Sequence, residues 1–585
     1  MGKTVVSRSS PLAPRSPPLP LRFAPGTIVA PRLLPLLPLA FLAFFFFYPL
    51  LSIFQVSLLP EGRLALDALR ELVERPYYAQ TLWFTTWQAV LSTLLTLLVA
   101  LPGAYVFGRY RFRGRELLKA ITTIPFVLPT VVVAAAFRAL LGSHGRLNTL
   151  LQALLGLESP PIQLERTLWL ILLAHVFYNY TVVVRIVGGF WANLSRHTEE
   201  AAAALGANRR QVFWHVTLPA LAPALLAAAL LIFLFTFTSF GVILILGGPG
   251  FSTLETEIYR QAVVFLKFPV AAALSILQIL FTYAIMLAYT HFTRRVAVPL
   301  RFQSQSQTLR APTTGRERLL VALNVIFMLA LLLSPLLALV ERSFTDAEGR
   351  FTLNYYRELP VNRRGSVLHA SPLQVVGNSL RYALLTMVLA TALGAVSAWQ
   401  LAGPVSGRPG RWSRRLRGWL DALLMLPLGV SAVTLGFGYI VALGRLRTSP
   451  LLIPLAHTLI AFPFVVRSVL PVLRGIHPNL REAAAALGAS PGRVWREIDL
   501  PIVGRALLVG AVFAFTISMG EFGATSFIAR PGGSITLPIA INRFLGQPGA
   551  LNFGQAVALS AILMVVCAVG FLAIERFRYG EIGEF

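Results

Sequence analysis

The string EAAAALGA occurs twice in this chain, from Glu200 to Ala207 and from Glu482 to Ala489, and the residues around the two copies stay in register. Leu218-Pro219 and Leu500-Pro501 follow the two glutamates at the same distance. Upstream, Leu173-Ala174-His175 matches Leu455-Ala456-His457, and Val183-Val184-Arg185 matches Val465-Val466-Arg467. Downstream, Phe240-Gly241 matches Phe522-Gly523. After one inserted residue, Thr253-Leu254, Ile258 and Arg260 match Thr536-Leu537, Ile541 and Arg543. The chain is a duplication, so whatever one half folds into, the other must fold into as well.

The halves are built for lipid. Of 585 residues, 56% are hydrophobic and 13% charged, about half the charged share of a soluble domain. A span needs about 20 apolar residues to cross roughly 30 Å of hydrocarbon. Twelve segments qualify: 33–58, 82–107, 117–142, 167–190, 222–247, 268–291, 318–341, 378–402, 418–444, 451–473, 504–528 and 552–575. The fifth and eleventh run into Gly-rich ends. The expected fold is an all-α integral membrane protein with about 12 transmembrane helices in two tandem six-helix repeats.

The net charge of +27 does not point to nucleic acid. The arginines sit in short loops between apolar runs, with no basic face interleaved by aromatics. They orient the chain instead. Arg109, Arg111, Arg113 and Arg115 lie in one loop, Arg294, Arg295, Arg301 and Arg310 in another, and Arg408, Arg411, Arg414 and Arg415 in a third. All three loops fall on one side of the twelve-span topology. The positive-inside rule makes that side cytoplasmic, with both termini, in a plasma (inner) membrane. Residues 1–31 read as a disordered basic tail and 33–58 as a retained first span. The halves cover 32–291 and 318–577, joined by a polar linker at 292–317, with a tail at 578–585. A single cysteine, Cys567, rules out a disulfide framework within the chain.

Both copies of the repeated string then face the cytoplasm. Thr198 and Asn479 are expected N-caps, and the alanines that follow are strong helix formers. Gly206 and Gly488 end the helix, and Pro219 and Pro501 are expected where the next span begins. The small Ala face can lie close inside a partner's groove, while Glu200 and Glu482 each offer one charge.

Glu-Ala-Ala, three residues, Gly, and then Leu-Pro resembles the signature loop of permeases of binding-protein-dependent ABC importers. The resemblance covers nearly all of the chain after the tail. It implies a type I importer permease fold and assigns ATPase coupling to Glu200, Ala201, Gly206, Glu482, Ala483 and Gly488. It also implies the partners: two ATP-binding subunits at the cytoplasmic loops and one extracytoplasmic solute-binding protein. The two-half chain is similar to the fused permeases of thiamine and iron(III) importers. No cofactor is expected on the chain itself, since Gly2-Lys3-Thr4 lacks the glycine and strand of a P-loop. ATP is expected to be used by the partner subunits, and the chain is expected not to be an enzyme.

Several polar groups fall within spans. His175 and His457 suit interhelical hydrogen bonds. Arg185 and Arg467 can snorkel or brace the repeated loop. The ends of the fifth and eleventh spans, Ser239-Phe240-Gly241 and Glu521-Phe522-Gly523, suit broken helices facing a translocation path. There Glu521 can either serve a cationic solute or be satisfied locally. A membrane-embedded enzyme would need clustered ligands, and the eight histidines do not cluster. An ion-coupled transporter would need paired intramembrane carboxylates, whereas Glu521 stands nearly alone. The segments around Phe240 and Phe522 look most similar to the thiamine group, with iron(III) as the alternative.

Overall fold

The computed structural model describes residues 34–59, 62–63, 65–194, 196–248, 250–296, 309–346, 348–363, 367–402, 411–528 and 534–578. The expected tail 1–31, Gly2-Lys3-Thr4, the middle of the linker and nearly all of 578–585 lie outside them. Among the described residues, ten helices are long and apolar enough to span a bilayer, and two sharply bent pairs bring the number to twelve.

In the first half these are α1 (Leu37–Leu58), α2 (Pro76–Arg109), the bent pair α3 (Arg115–Val127) and α4 (Thr130–Leu141), and α5 (Leu168–Asn193). A short α6 (Arg196–Ala204) precedes α7 (Leu218–Phe237), and a short α8 (Leu254–Tyr259) precedes α9 (Phe268–Phe292). The second half runs α10 (Gly315–Ser343), α11 (Pro372–Ala402), the bent pair α12 (Arg411–Met425) and α13 (Ala432–Ala442), and α14 (Leu452–Gly475). It ends with short α15 (Pro478–Ala486), α16 (Leu500–Gly520), short α17 (Gly523–Phe527), α18 (Leu537–Leu545) and α19 (Ala550–Arg578).

Each expected span finds its helix, but the fifth and eleventh break near their Gly-rich ends and two others bend sharply. The third bends by 104° and the ninth by 93°. The third turns at Leu128, which Pro129 pushes into an extended conformation (ψ 139°). The ninth turns at Val430-Ser431, where the Ser431 hydroxyl accepts from the Val433 and Thr434 amides and starts a new helix.

Small residues set the helix spacing. α2 packs along α5, and α11 along α14. A Cβ added at Gly108 would sit 2.9 Å from the Gly188 carbonyl oxygen and 2.9 Å from the Trp191 Cβ. One at Gly394 would lie 2.6 Å from the Val465 Cβ. In lipid, where apolar contact alone does not separate protein from solvent, such close approach supplies the packing energy.

The halves also exchange their first helices. α1 lies against α13, α11 and α14 of the second half, with Gly438 receiving Pro49. α10 lies against α4 and α2 of the first half. This interlock puts the break after α7 opposite the break after α16, where the Phe240 and Phe522 rings stack.

Gly108→Ala should destabilise the protein by about 1–3 kcal/mol, because the backbone of α5 cannot yield. Gly189→Ala meets nothing within 4 Å and should be neutral or mildly stabilising. Thermal unfolding in detergent reads both; equal behaviour of the two variants would contradict the packing account.

Candidate functional site: paired docking helices and the central seam

α6 and α15 start at matched positions (Arg196, Pro478) and end at matched positions (Ala204, Ala486). The expected N-caps are displaced by this. Thr198 is the third residue of α6, and Asn479 is the second of α15, whose cap is His477. There Pro478 presets the first helical φ, and the His477 ring nitrogen accepts from the Asn479 amide at 3.3 Å.

Both helices close the same way. The Gly206 amide donates to the Ala203 carbonyl and the Ala207 amide to Ala202; Gly488 and Ala489 repeat this on Ala485 and Ala484. This paired closure requires a left-handed residue, and Gly206 (φ +91°) and Gly488 (φ +82°) supply it. The turn throws one leucine outward in each copy: Leu205 is 90% exposed and Leu487 89%. Glu200, Ala201, Glu482 and Ala483 are exposed as well. The sequence reading passed over the leucines, although they stand inside the repeated string.

Pro219 and Pro501 stand at the starts of α7 and α16, as expected, but helical backbone already leads into them. Helical residues start at Arg209 and Pro491, and a π turn (Phe213–Thr217, Trp495–Asp499) precedes each Leu-Pro. A proline removes one backbone donor and crowds the carbonyl four residues back, and a π turn absorbs both.

A charged side chain ties each of these exposed helices to its π turn. In the first half Glu199 accepts from Arg109 of α2 and from the Thr217 hydroxyl (2.8 Å). In the second, Arg481 donates to Asp499 at 2.7 Å. The matched positions carry opposite roles, Glu199 facing Thr217 and Arg481 facing Asp499. Arg185 donates to Thr123 of α3 (2.6 Å), and Arg467 is exposed.

The seam between the halves lies deeper. His175 bridges Ser92, close to the middle of α2, to Ser239 at 2.8 and 3.0 Å. His457 bridges Ser518 to Thr525 at 2.7 and 2.8 Å. Each histidine therefore braces a broken helix, after Phe237 in one half and after Gly520 in the other. Phe240 and Phe522 stack across the seam with centroids 5.6 Å apart, and Tyr259 meets Phe240 at 5.5 Å and Phe527 at 5.4 Å. Gly241 sits against Thr130 and Phe522, Gly523 against Ala432, so neither has room for a side chain.

Glu521 does not offer its charge to an open cavity. The break leaves the first amides of α17 without helical partners, and the carboxylate accepts from the Ala524 (2.7 Å) and Thr525 (3.0 Å) amides. It also takes the Thr525 hydroxyl and lies 3.2 Å from His457. Nor does Glu521 stand alone. Glu255 and Glu257 of α8 are fully buried. Both were legible as an acidic pair between the matched residues Leu254 and Ile258, at a place where the second copy has Pro538 and Ala540.

Among the described residues, up to twelve spanning segments in two interlocked halves, with a matched exposed helix in each, define a multi-pass membrane protein. The chain belongs to the family of binding-protein-dependent transport system inner membrane components, which residues 100–298 and 374–578 match. It is 27% identical over 571 residues to the "Probable ABC transporter permease protein y4fN" of Sinorhizobium fredii, covering 92% of this chain and 95% of that one. The thiamine transport system permease protein ThiP of Escherichia coli is 28% identical, over 84% of this chain and 88% of ThiP. The "Putative 2-aminoethylphosphonate transport system permease protein PhnU" of Salmonella typhimurium is 30% identical over 281 residues, 48% of this chain but 98% of PhnU. One half of this chain thus equals nearly a whole separate permease.

Glu521→Ala strands the two buried amides of Ala524 and Thr525. It should cost about 2–4 kcal/mol, and Glu521→Gln less, because Gln keeps one acceptor. Thermal unfolding of both variants checks the order; an unaffected Glu521→Ala would contradict the capping role.

Proposed function

We propose that this chain is the permease of an ABC importer in which two ATP-binding subunits dock on α6 and α15. The observation that carries this is the pair of matched helices, each closed by a left-handed glycine and each presenting an exposed leucine beside a small alanine face. Glu200, Ala201, Gly206, Glu482, Ala483 and Gly488 form the docking surfaces, and Leu205 and Leu487 are their apolar tips. Hot spots of this kind are a few desolvated side chains with a close-fitting surround. ATP is bound and hydrolysed by the partner subunits.

The Glu199–Thr217 hydrogen bond and the Arg481–Asp499 ion pair give docking a path from α6 and α15 into α7 and α16. Moving those helices moves the breaks that follow them. Ser239, Phe240 and Gly241 and their mates Glu521, Phe522 and Gly523 then form the translocation path, closed where the two rings stack. A solute-binding protein delivers cargo from the outer side. The Arg-rich ends, which include Arg109 beside α6, face the cytoplasm together with both termini, in an inner membrane.

The proposed solute is thiamine or its phosphates. Similarity to ThiP along most of the chain supports it, as does the aromatic seam, which suits an organic cation. Iron(III) has no specific observation in its favour. Thermal-shift screening of the cognate binding protein tests the choice: thiamine should raise its Tm strongly. Stabilisation by Fe(III) and none by thiamine would overturn the solute while leaving the permease assignment standing.

A further inference from the structure

We propose that Glu255 is the counter-charge this permease holds for a cationic solute bearing N–H donors. The proposal rests on the reading of the seam as the translocation path.

Four carboxylates are buried among the described residues: Glu255, Glu257, Asp499 and Glu521. Three have a basic partner. Glu257 lies 3.3 Å from Arg260, Asp499 2.7 Å from Arg481, and Glu521 3.2 Å from His457. Glu255 has none among the described residues. Its Oε1 accepts from the Gln278 amide at 2.9 Å and its Oε2 from the Ser431 hydroxyl at 2.8 Å, both neutral donors. A fully buried carboxylate with neutral partners is costly, and an apolar residue of similar volume would be cheaper. The repeat does not require an acid here, since the matched residue in the second half is Pro538.

The surroundings are those of a cation site. Glu255 and Tyr259 stand four residues apart on α8 and share its face. The Tyr259 ring joins Phe240, Phe522 and Phe527 in one aromatic group drawn from both halves. Ring faces attract organic cations most strongly where water is excluded. The Gln278 carbonyl oxygen is buried and has no hydrogen-bond partner among the described residues, and neither does the Thr434 hydroxyl, one turn after Ser431. A carboxylate beside an unsatisfied amide carbonyl presents acceptors, so it selects a ligand with positive charge and N–H groups. Thiamine has both, in its thiazolium ring and its aminopyrimidine.

The hydrogen bond to Ser431 also spans the halves. Ser431 lies at the bend before α13, whereas Gln278 lies on α9 in the same half as Glu255. Separation of the halves along the seam would free one carboxylate oxygen for cargo while Gln278 keeps the other in place. In the closed state Ser431 stands where a solute N–H would donate.

The test is uptake of labelled thiamine by proteoliposomes holding the full transporter, with its ATP-binding subunits and loaded binding protein. Glu255→Gln keeps size and hydrogen bonding but removes the charge, and uptake should fall roughly thirtyfold or more, the scale of losing a buried charge partner. Glu255→Asp keeps the charge and should retain most of the uptake. Thermal unfolding in detergent should find both variants folded. Wild-type uptake by Glu255→Gln would overturn the inference while leaving the permease and its solute intact. Uptake by folded Glu255→Asp as low as that of empty vesicles would overturn it too, a reading that stands even when Glu255→Gln cannot be recovered. No thiamine uptake by the wild type would remove the solute reading and this inference together.

Discussion

A helix that stops inside a bilayer exposes backbone groups that lipid cannot satisfy, and this chain stops two of them near its own centre. Every feature of the seam follows from how those ends are satisfied. After Phe237 the repair is neutral, with the Thr238 hydroxyl donating to the Leu234 carbonyl and the Gln88 amide to the Thr236 carbonyl. After Gly520 it is ionic, with Glu521 capping α17 and lying against His457. One duplicated scaffold therefore carries two different solutions at matched positions. Gly241 helps Phe240 and Phe522 approach across the seam, since a side chain there would meet Thr130 and the Phe522 ring.

The same divergence recurs at the docking helices. At matched positions Glu199 accepts from the Thr217 hydroxyl and pairs with Arg109 of α2 in one half, whereas Arg481 pairs with Asp499 in the other. Partly buried links of this kind hold geometry better than they add stability. The duplication leaves identical the exposed alanine face, the outward leucine and the left-handed glycine. At the seam it keeps His175 with His457 and Phe240 with Phe522, while Ser239 and Glu521 diverge.

Much of this was legible in the sequence because lipid imposes simple rules. Apolar length located the spans, and the repeat located α6 and α15 together with their glycine ends. The bends at Leu128 and Ser431 were not legible from apolar length, which does not register direction, although Pro129 was there to be read. The N-caps were misplaced because Thr198 and Asn479 lie just inside helices that start earlier, one of them at Pro478. The role of Glu521 could not be settled in advance, since a carboxylate beside a break can face a cavity or cap the next helix. Glu255 was missed because a search for matched residues passes over what only one copy carries.

The central claim is that the duplicated helices are two equivalent docking elements for ATP-binding subunits, and subunit stoichiometry tests it most directly. Native mass spectrometry of the purified complex should give two ATP-binding subunits per chain. Leu205→Asp or Leu487→Asp alone should leave one, and the double variant none, because a charge replaces each apolar tip where it would be buried. Two subunits still bound to the folded double variant would contradict the account.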